Sequence, residues 1–174
     1  MARMKADVLA EFLTKPINAV LATTRRQSRP YQVPVWFLWQ ETGPAAAEYP
    51  FYREGDFWLT GTYTRQWCKH IFADPRVSLC IEGGGPVPGY VAVNCQAVPV
   101  EPKDTDIWPI STKLAQKYVG ARGDEEAVAR FMANMRTEPR LLFRLTPESW
   151  RCIDLTVYTG ARGDVAYQRS RREG

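Results

Sequence analysis

The sequence predicts a mainly β fold, a six- to seven-stranded antiparallel split β-barrel with peripheral helices. Short runs rich in Val, Ile, Phe, Tyr and Trp recur along the chain, separated by polar turns. The strands come first and a pair of helical patterns is inserted late, which is not the alternating order of a parallel sheet. A barrel removes exposed sheet edges and offers a mouth for a ligand.

Residues 5 to 14 read as a helix, with Val8, Leu9, Phe12 and Leu13 at helical spacing and Pro16 ending it. Ile17 to Thr23 and Tyr31 to Gln40 read as the first two strands, joined by the polar turn 24 to 30 as a hairpin. Glu41 to Gly55 reads as a loop and Asp56 to Thr60 as the third strand. Thr64 is placed to cap a helix over Arg65 to Ala73, stopped by Asp74-Pro75. Arg76 to Glu82 is the fourth strand, and the glycine-rich segment 83 to 89 is a turn without the Lys-Ser/Thr of a phosphate-binding loop. Tyr90 to Val100 is the fifth strand, with Pro99 marking an edge or bulge near its end. A helix within Asp104 to Val119 follows, then one capped by Asp124, with Val128, Phe131, Met132 and Met135 as core positions. Leu141 to Leu145 and Trp150 to Leu155 are strands six and seven, separated by a turn at 146 to 149. The segment Gly-Ala-Arg-Gly-Asp occurs at 120 to 124 and at 160 to 164 with unlike flanks, so it marks two turns rather than a domain repeat.

The 174 residues suit one domain, expected over 1 to 155, with 156 to 174 as a flexible tail that carries the densest basic cluster, Arg169 to Arg172. The 45% apolar and 24% charged fractions exclude a disordered chain. No apolar run is long enough for a membrane span and the first residues lack a signal-peptide core, so the expected location is the cytoplasm. The single histidine, His70, and the scattered Cys68, Cys80, Cys95 and Cys152 exclude multi-histidine zinc catalysis and a four-ligand structural zinc site. Any chemistry is therefore expected to come from a cofactor. The net charge of +4 is a mild bias toward anionic partners such as phosphates. It is too low, with no basic stripe, for a nucleic-acid binder, although aromatic and basic residues interleave around Tyr63 to Lys69.

The stretch Thr60 to His70 carries the most chemistry. It leaves a strand and opens a helix, where backbone N–H groups and the dipole favour an anion. Thr60, Thr62 and Thr64 offer hydroxyls, Arg65 a planar fork and Lys69 a point charge. On these local residues alone a plain helix cap with solvated cations is the simpler reading.

Residues 17 to 100 resemble the pyridoxamine 5'-phosphate oxidase-like family of flavin-binding split barrels. The hairpin from Ala19 to Phe37, the run Phe57 to Gly61, the segment Asp74-Pro75-Arg76-Val77-Ser78-Leu79 and the strand from Tyr90 to Ala97 carry the resemblance, together with Leu142 to Asp154. It implies a homodimer with cofactor sites at the subunit interface, and FMN, a deazaflavin coenzyme or, in some members, haem as the cofactor. By motif position Val33, Pro34 and Val35 would lie along the isoalloxazine ring. Thr60 and Gly61 would line the site, Arg65 and Gln66 would approach the phosphate, and Tyr90 would contribute from a neighbouring strand, with Thr62 and Lys69 as further cofactor-binding candidates from the local residues. Seven residues before the Asp-Pro, where the family usually places a phosphate-binding lysine, this chain has Trp67. Lys69, two residues on, points roughly 200° away on a helix and is no direct substitute. A tryptophan there would stack on a ring or fill the phosphate pocket. The resemblance implies a flavin- or deazaflavin-dependent oxidoreductase acting on a small molecule, or a binder of a flavin, haem or other planar ligand. Tyr31, Tyr63 and Tyr90 are acid–base candidates by residue type only. His70 is the one possible histidine ligand to haem.

Overall fold

The computed structural model describes residues 3–45, 53–83 and 88–156. Among them seven strands form one antiparallel sheet: β1 (Ala19–Thr24), β2 (Pro30–Val35), β3 (Leu38–Ala45), β4 (Arg53–Thr62), β5 (Arg76–Gly83), β6 (Gly89–Val100) and β7 (Arg140–Asp154). Their order across the sheet is β2-β1-β5-β6-β7-β4-β3. Four helices accompany them: α1 (Ala6–Thr14), α2 (Gln66–Ala73), α3 (Trp108–Tyr118) and α4 (Glu125–Met135).

Burial alternates along β1, β5 and β6, as a sheet with one buried face requires. Leu21, Leu79, Ile81, Val91, Val93, Phe57, Leu59 and Phe143 form the core, and the apolar face of α1, with Leu9, Phe12 and Leu13, packs into it. The outermost strands β2 and β3 do not pair with each other, yet only Trp36 and Phe37 separate them in the chain. Three peptide steps span at most about 11 Å, so the sheet curls until its two edges nearly meet. That is the geometry of a split barrel.

The corner is clamped from α3. Phe37 is fully buried. Its amide donates to the Tyr118 hydroxyl at 3.1 Å, and its carbonyl accepts from Lys117 Nζ at 3.0 Å. Lys117 Nζ also donates to the Leu13 carbonyl, 2.9 Å away, at the C-terminal end of α1, where a cation suits the helix dipole. Trp36 stacks on Tyr118 with centroids 4.7 Å apart and planes 3° from parallel.

The sequence expectations need four corrections. The expected second strand, 31 to 40, is two strands at opposite edges of the sheet, because its middle turns inward at Trp36-Phe37. Parts of the expected loop 41 to 55 are strand, since Leu38–Glu41 pairs with Gly55–Trp58. The expected closing hairpin is one fifteen-residue strand, β7. Pro147 sits in it where the β6 register shifts between Asn94 and Cys95, so its missing N–H breaks no regular ladder. Finally, Arg65 rather than Thr64 occupies the cap position of α2, with no side-chain capping bond. Asp124 does cap α4, accepting from Ala127 N at 2.9 Å. Pro99 lies beyond the stretch of β6 that pairs with β5, where one side of the strand is open. The expected tail from 157 onward, the second Gly-Ala-Arg-Gly-Asp and positions 84 to 87 lie outside the described residues.

Candidate functional site

β4 delivers the chain to α2 at one end of the barrel. Gly61 makes the junction possible: a Cβ there would lie 2.5 Å from Cys68 Sγ and 2.8 Å from the Trp67 ring. The Arg65 amide donates to the Thr62 carbonyl at 3.1 Å, and the Thr62 and Thr64 hydroxyls are 3.1 Å apart. α2 then divides by helical spacing. Trp67, Cys68 and Ile71 face the core. Gln66, Lys69, His70 and Ala73, at i, i+3, i+4 and i+7, face outward into a cleft of about 750 Å³.

The opposite wall of the cleft is the turn between β1 and β2. It brings Arg25, Arg26 and Arg29 to face Lys69 and His70, and no carboxylate is among the described residues that line the cleft. The turn is closed by the Arg25 amide donating to the Arg29 carbonyl at 2.8 Å. Gln27 and Ser28 within it both hold left-handed backbone, with φ of 65° and 58°. Such conformations cost energy for non-glycine residues and concentrate at functional sites. Tyr31, the first inward-facing residue of β2, has the Arg25 guanidinium 4.6 Å from its ring centroid and the His70 ring edge-on at 5.1 Å. The Thr23 hydroxyl lies 3.0 Å from His70 Nδ1. Burial, with a smaller contribution from the Arg25 charge, holds the imidazole below its ordinary pKa.

The expected site residues fall into five groups. Gln66 and Lys69 line the cleft, while Arg65 stands exposed at the α2 cap. Thr60, Gly61 and Thr62 lie at the same end of the barrel, at the end of β4 that pairs with Leu142 to Arg140. Thr60 Oγ1 is buried and has no hydrogen-bond partner among the described residues. Val33 and Val35 continue the Tyr31 face along the edge strand β2 and pack partly on the core, whereas Pro34 points outward. Tyr90 lies at the far end of the sheet from the cleft, paired with Glu82 and Ile153. Trp67 does not stack outward: it is 3% exposed and packs on Phe143 with centroids 5.2 Å apart. Its Nε1 finds no partner among the described residues. Cys68 is no nucleophile in this setting, since burial pushes its thiol up to about 11.

A family model described as pyridoxamine 5'-phosphate oxidase matches residues 6–154. The chain belongs to this family. Solved structures of like fold include an F420 reductase, 20% identical with a TM-score of 0.56, the match covering 81% of this chain and 94% of that one. A conserved hypothetical protein of Mycobacterium tuberculosis is 21% identical with a TM-score of 0.62, over 87% and 85% of the two chains. The haem-storage protein HutZ of Vibrio cholerae is 17% identical with a TM-score of 0.55, over 85% and 94%. At these identities the likeness is one of fold. No curated protein matches the chain. Among the described residues no helix is long and apolar enough to cross a membrane.

Within the family frame, the arginines of the β1–β2 turn are the residues that sequence reasoning missed. Their density in 24 to 30 was visible, but a polar turn reads as solvated until α2 is known to face it. The spacing of Gln66, Lys69, His70 and Ala73 was the available signal, because it separates them cleanly from the buried face of the helix. The donor set fits an anionic cofactor tail: cations on both walls, no acid among the described lining residues, and at the same end of the barrel a Thr60 hydroxyl with no partner among the described residues.

Proposed function

We propose that the chain is an oxidoreductase that uses a flavin or deazaflavin, with the cofactor's phosphate-bearing tail in the cleft between α2 and the β1–β2 turn. The observation that carries this reading is the cleft, whose four fixed cations face one another with no carboxylate among the described lining residues. Arg25, Arg26 and Arg29 would bind the tail from the turn, and Lys69 from the helix. The edge strand β2 starts at the cleft, and Tyr31 to Val35 runs about 13 Å from it. That length suits a planar ring laid along Val33, Pro34 and Val35. The cofactor, when bound, supplies hydride chemistry. The protein's part is to fix the tail, orient the ring and exclude water. FMN is the first candidate and a deazaflavin of the F420 kind the alternative. The functional unit is a homodimer with the second subunit covering the open side of each site, and the substrate is a small molecule.

The test is the visible spectrum of the native protein, with mass analysis of whatever co-purifies. A flavin or deazaflavin spectrum, retained or gained on adding the cofactor, is the expected result. A colourless protein that binds neither overturns the reading. A second reading, a carrier of a planar ligand such as haem, draws on His70 being the only histidine and lining the cleft. A Soret band lost in His70→Asn, with no turnover by reduced nicotinamide or deazaflavin, would favour it.

A further inference from the structure

Four of the charges around the cleft are fixed at neutral pH, and one group among them can change charge, His70. Its position is set by contacts on two sides, with a third side open. Thr23 Oγ1 stands 3.0 Å from Nδ1. Tyr31 meets the ring edge-on. The third side opens on the cleft. A threonine hydroxyl can accept a hydrogen bond from Nδ1–H in both the neutral and the cationic ring, and in that tautomer Nε2 can be protonated without losing the contact.

The charged groups that face the ring are known from each packed element. The turn contributes Arg25, Arg26 and Arg29, β2 contributes Tyr31, and α2 contributes Lys69. The nearest acid along the helix, Asp74, is held by Arg76 through bonds of 2.8 and 2.9 Å. With the cleft free, nothing anionic among the described lining residues favours the imidazolium, and burial and Arg25 oppose it. One favourable influence is built in, since His70 sits in the last turn of α2, where a cation suits the dipole. A ligand with two or more negative charges between the turn and the helix would reverse the local field and favour the charged ring.

We propose that His70 is the cleft's variable charge: it takes up one proton from solvent at Nε2 when a polyanion of the phosphate class binds, so that the loaded site holds five cations and the free site four. The idea rests on the reading of the cleft as the anion site. Its consequence is selectivity for ligands of higher charge, because a monoanion does not offset the fixed arginines enough to bring in the proton. The left-handed Gln27 and Ser28 keep the three arginines gathered in the free state, so the proton is the part of the site's charge that responds to the ligand.

The experiment uses untagged full-length protein and inorganic pyrophosphate as the probe. Because the chain has one histidine, its C2 proton gives a single, assignable NMR titration. The His70 midpoint is expected to lie below the ordinary imidazole range and to rise on saturation with pyrophosphate. Calorimetry in two buffers of different ionisation enthalpy should show the wild type taking up more protons than His70→Asn, the difference approaching one between the two midpoints, since pyrophosphate's own ionisation contributes to both. There the ratio of wild-type to variant affinity should rise about tenfold for each unit of falling pH. An unmoved His70 midpoint on binding, or equal proton uptake in the wild type and His70→Asn, overturns the inference and leaves the anion site standing. Failure of both pyrophosphate and FMN to bind overturns the two together.

Discussion

The Phe37 amide donates to the Tyr118 hydroxyl across 3.1 Å, joining the corner between the two outermost strands to helix α3. The same hydroxyl donates to the Ile17 carbonyl at 2.8 Å, just before β1. One phenol therefore pins the place where the barrel splits. Tyr118→Phe would leave a buried amide and a carbonyl unpaired. The expected loss is about 1–3 kcal/mol, read as a lower urea midpoint with unchanged slope. A change below about 0.5 kcal/mol would show that the corner holds without the bond.

Lys117 makes stability depend on pH in a direction that can be stated in advance. Burial pulls its ammonium down to about 7, from an ordinary value of 10.5. Between those values the unfolded chain binds the proton that the folded chain releases, so this residue's contribution to stability rises with pH across the window. Below pH 7 both states are charged and the cost of burial is constant. Lys117→Met removes the effect. Melting temperatures of the two proteins should shift in favour of the wild type between pH 7 and 10. A gap that stays constant over that range contradicts the assignment.

Arg25 faces the cleft, lies over the Tyr31 ring, and its charge bears directly on His70. Arg25→Gln should weaken pyrophosphate or FMN binding roughly fivefold, about 1 kcal/mol for one partly exposed cation. It should also flatten the salt dependence and raise the His70 midpoint. Lys69→Gln should weaken binding similarly. Fluorescence titration at two ionic strengths separates the two effects, and unchanged affinity in both variants would remove the cleft from consideration.

Trp67→Lys restores the residue the family usually carries, but at a site 3% exposed against Phe143. A lysine there would be buried without a counter-ion, so the expected result is a loss of about 3 kcal/mol or more and no gain in phosphate affinity. A stable variant with tighter FMN binding would mean that α2 can turn to present position 67 to the ligand.

Much of the barrel was legible because its central strands alternate or run apolar over the length that a strand needs. β1, β5 and β6 fall close to their expected bounds. The edges were not legible. Nothing in Val35-Trp36-Phe37-Leu38 breaks a strand by propensity, since all four are good β-formers, and the turn there is imposed by α3 from eighty residues downstream. Thr146-Pro147-Glu148-Ser149 has the composition of a turn yet continues β7, because a shifted register opposite Pro147 tolerates its missing N–H. The candidate cleft was legible on the side of the helix, where Gln66 and Lys69 stand. It was hidden on the side of the turn, where three arginines gain meaning only from what they face. The step from Trp67 to the core was also hidden, because helix phase alone does not say which face meets the sheet.

The register of β4 carries a consequence for synthesis. Its residues Phe57 to Thr62 pair with Leu145 to Arg140, near the other end of the chain. While the ribosome is still making α3 and α4, the β3–β4 hairpin has one flank unpaired and bears Phe57, Trp58 and Leu59. Nascent chains at that stage offer a ready edge to one another. Slow elongation through 63 to 139 should therefore lower the soluble yield more than slow elongation elsewhere, and holdase chaperones that shield the hairpin should restore it.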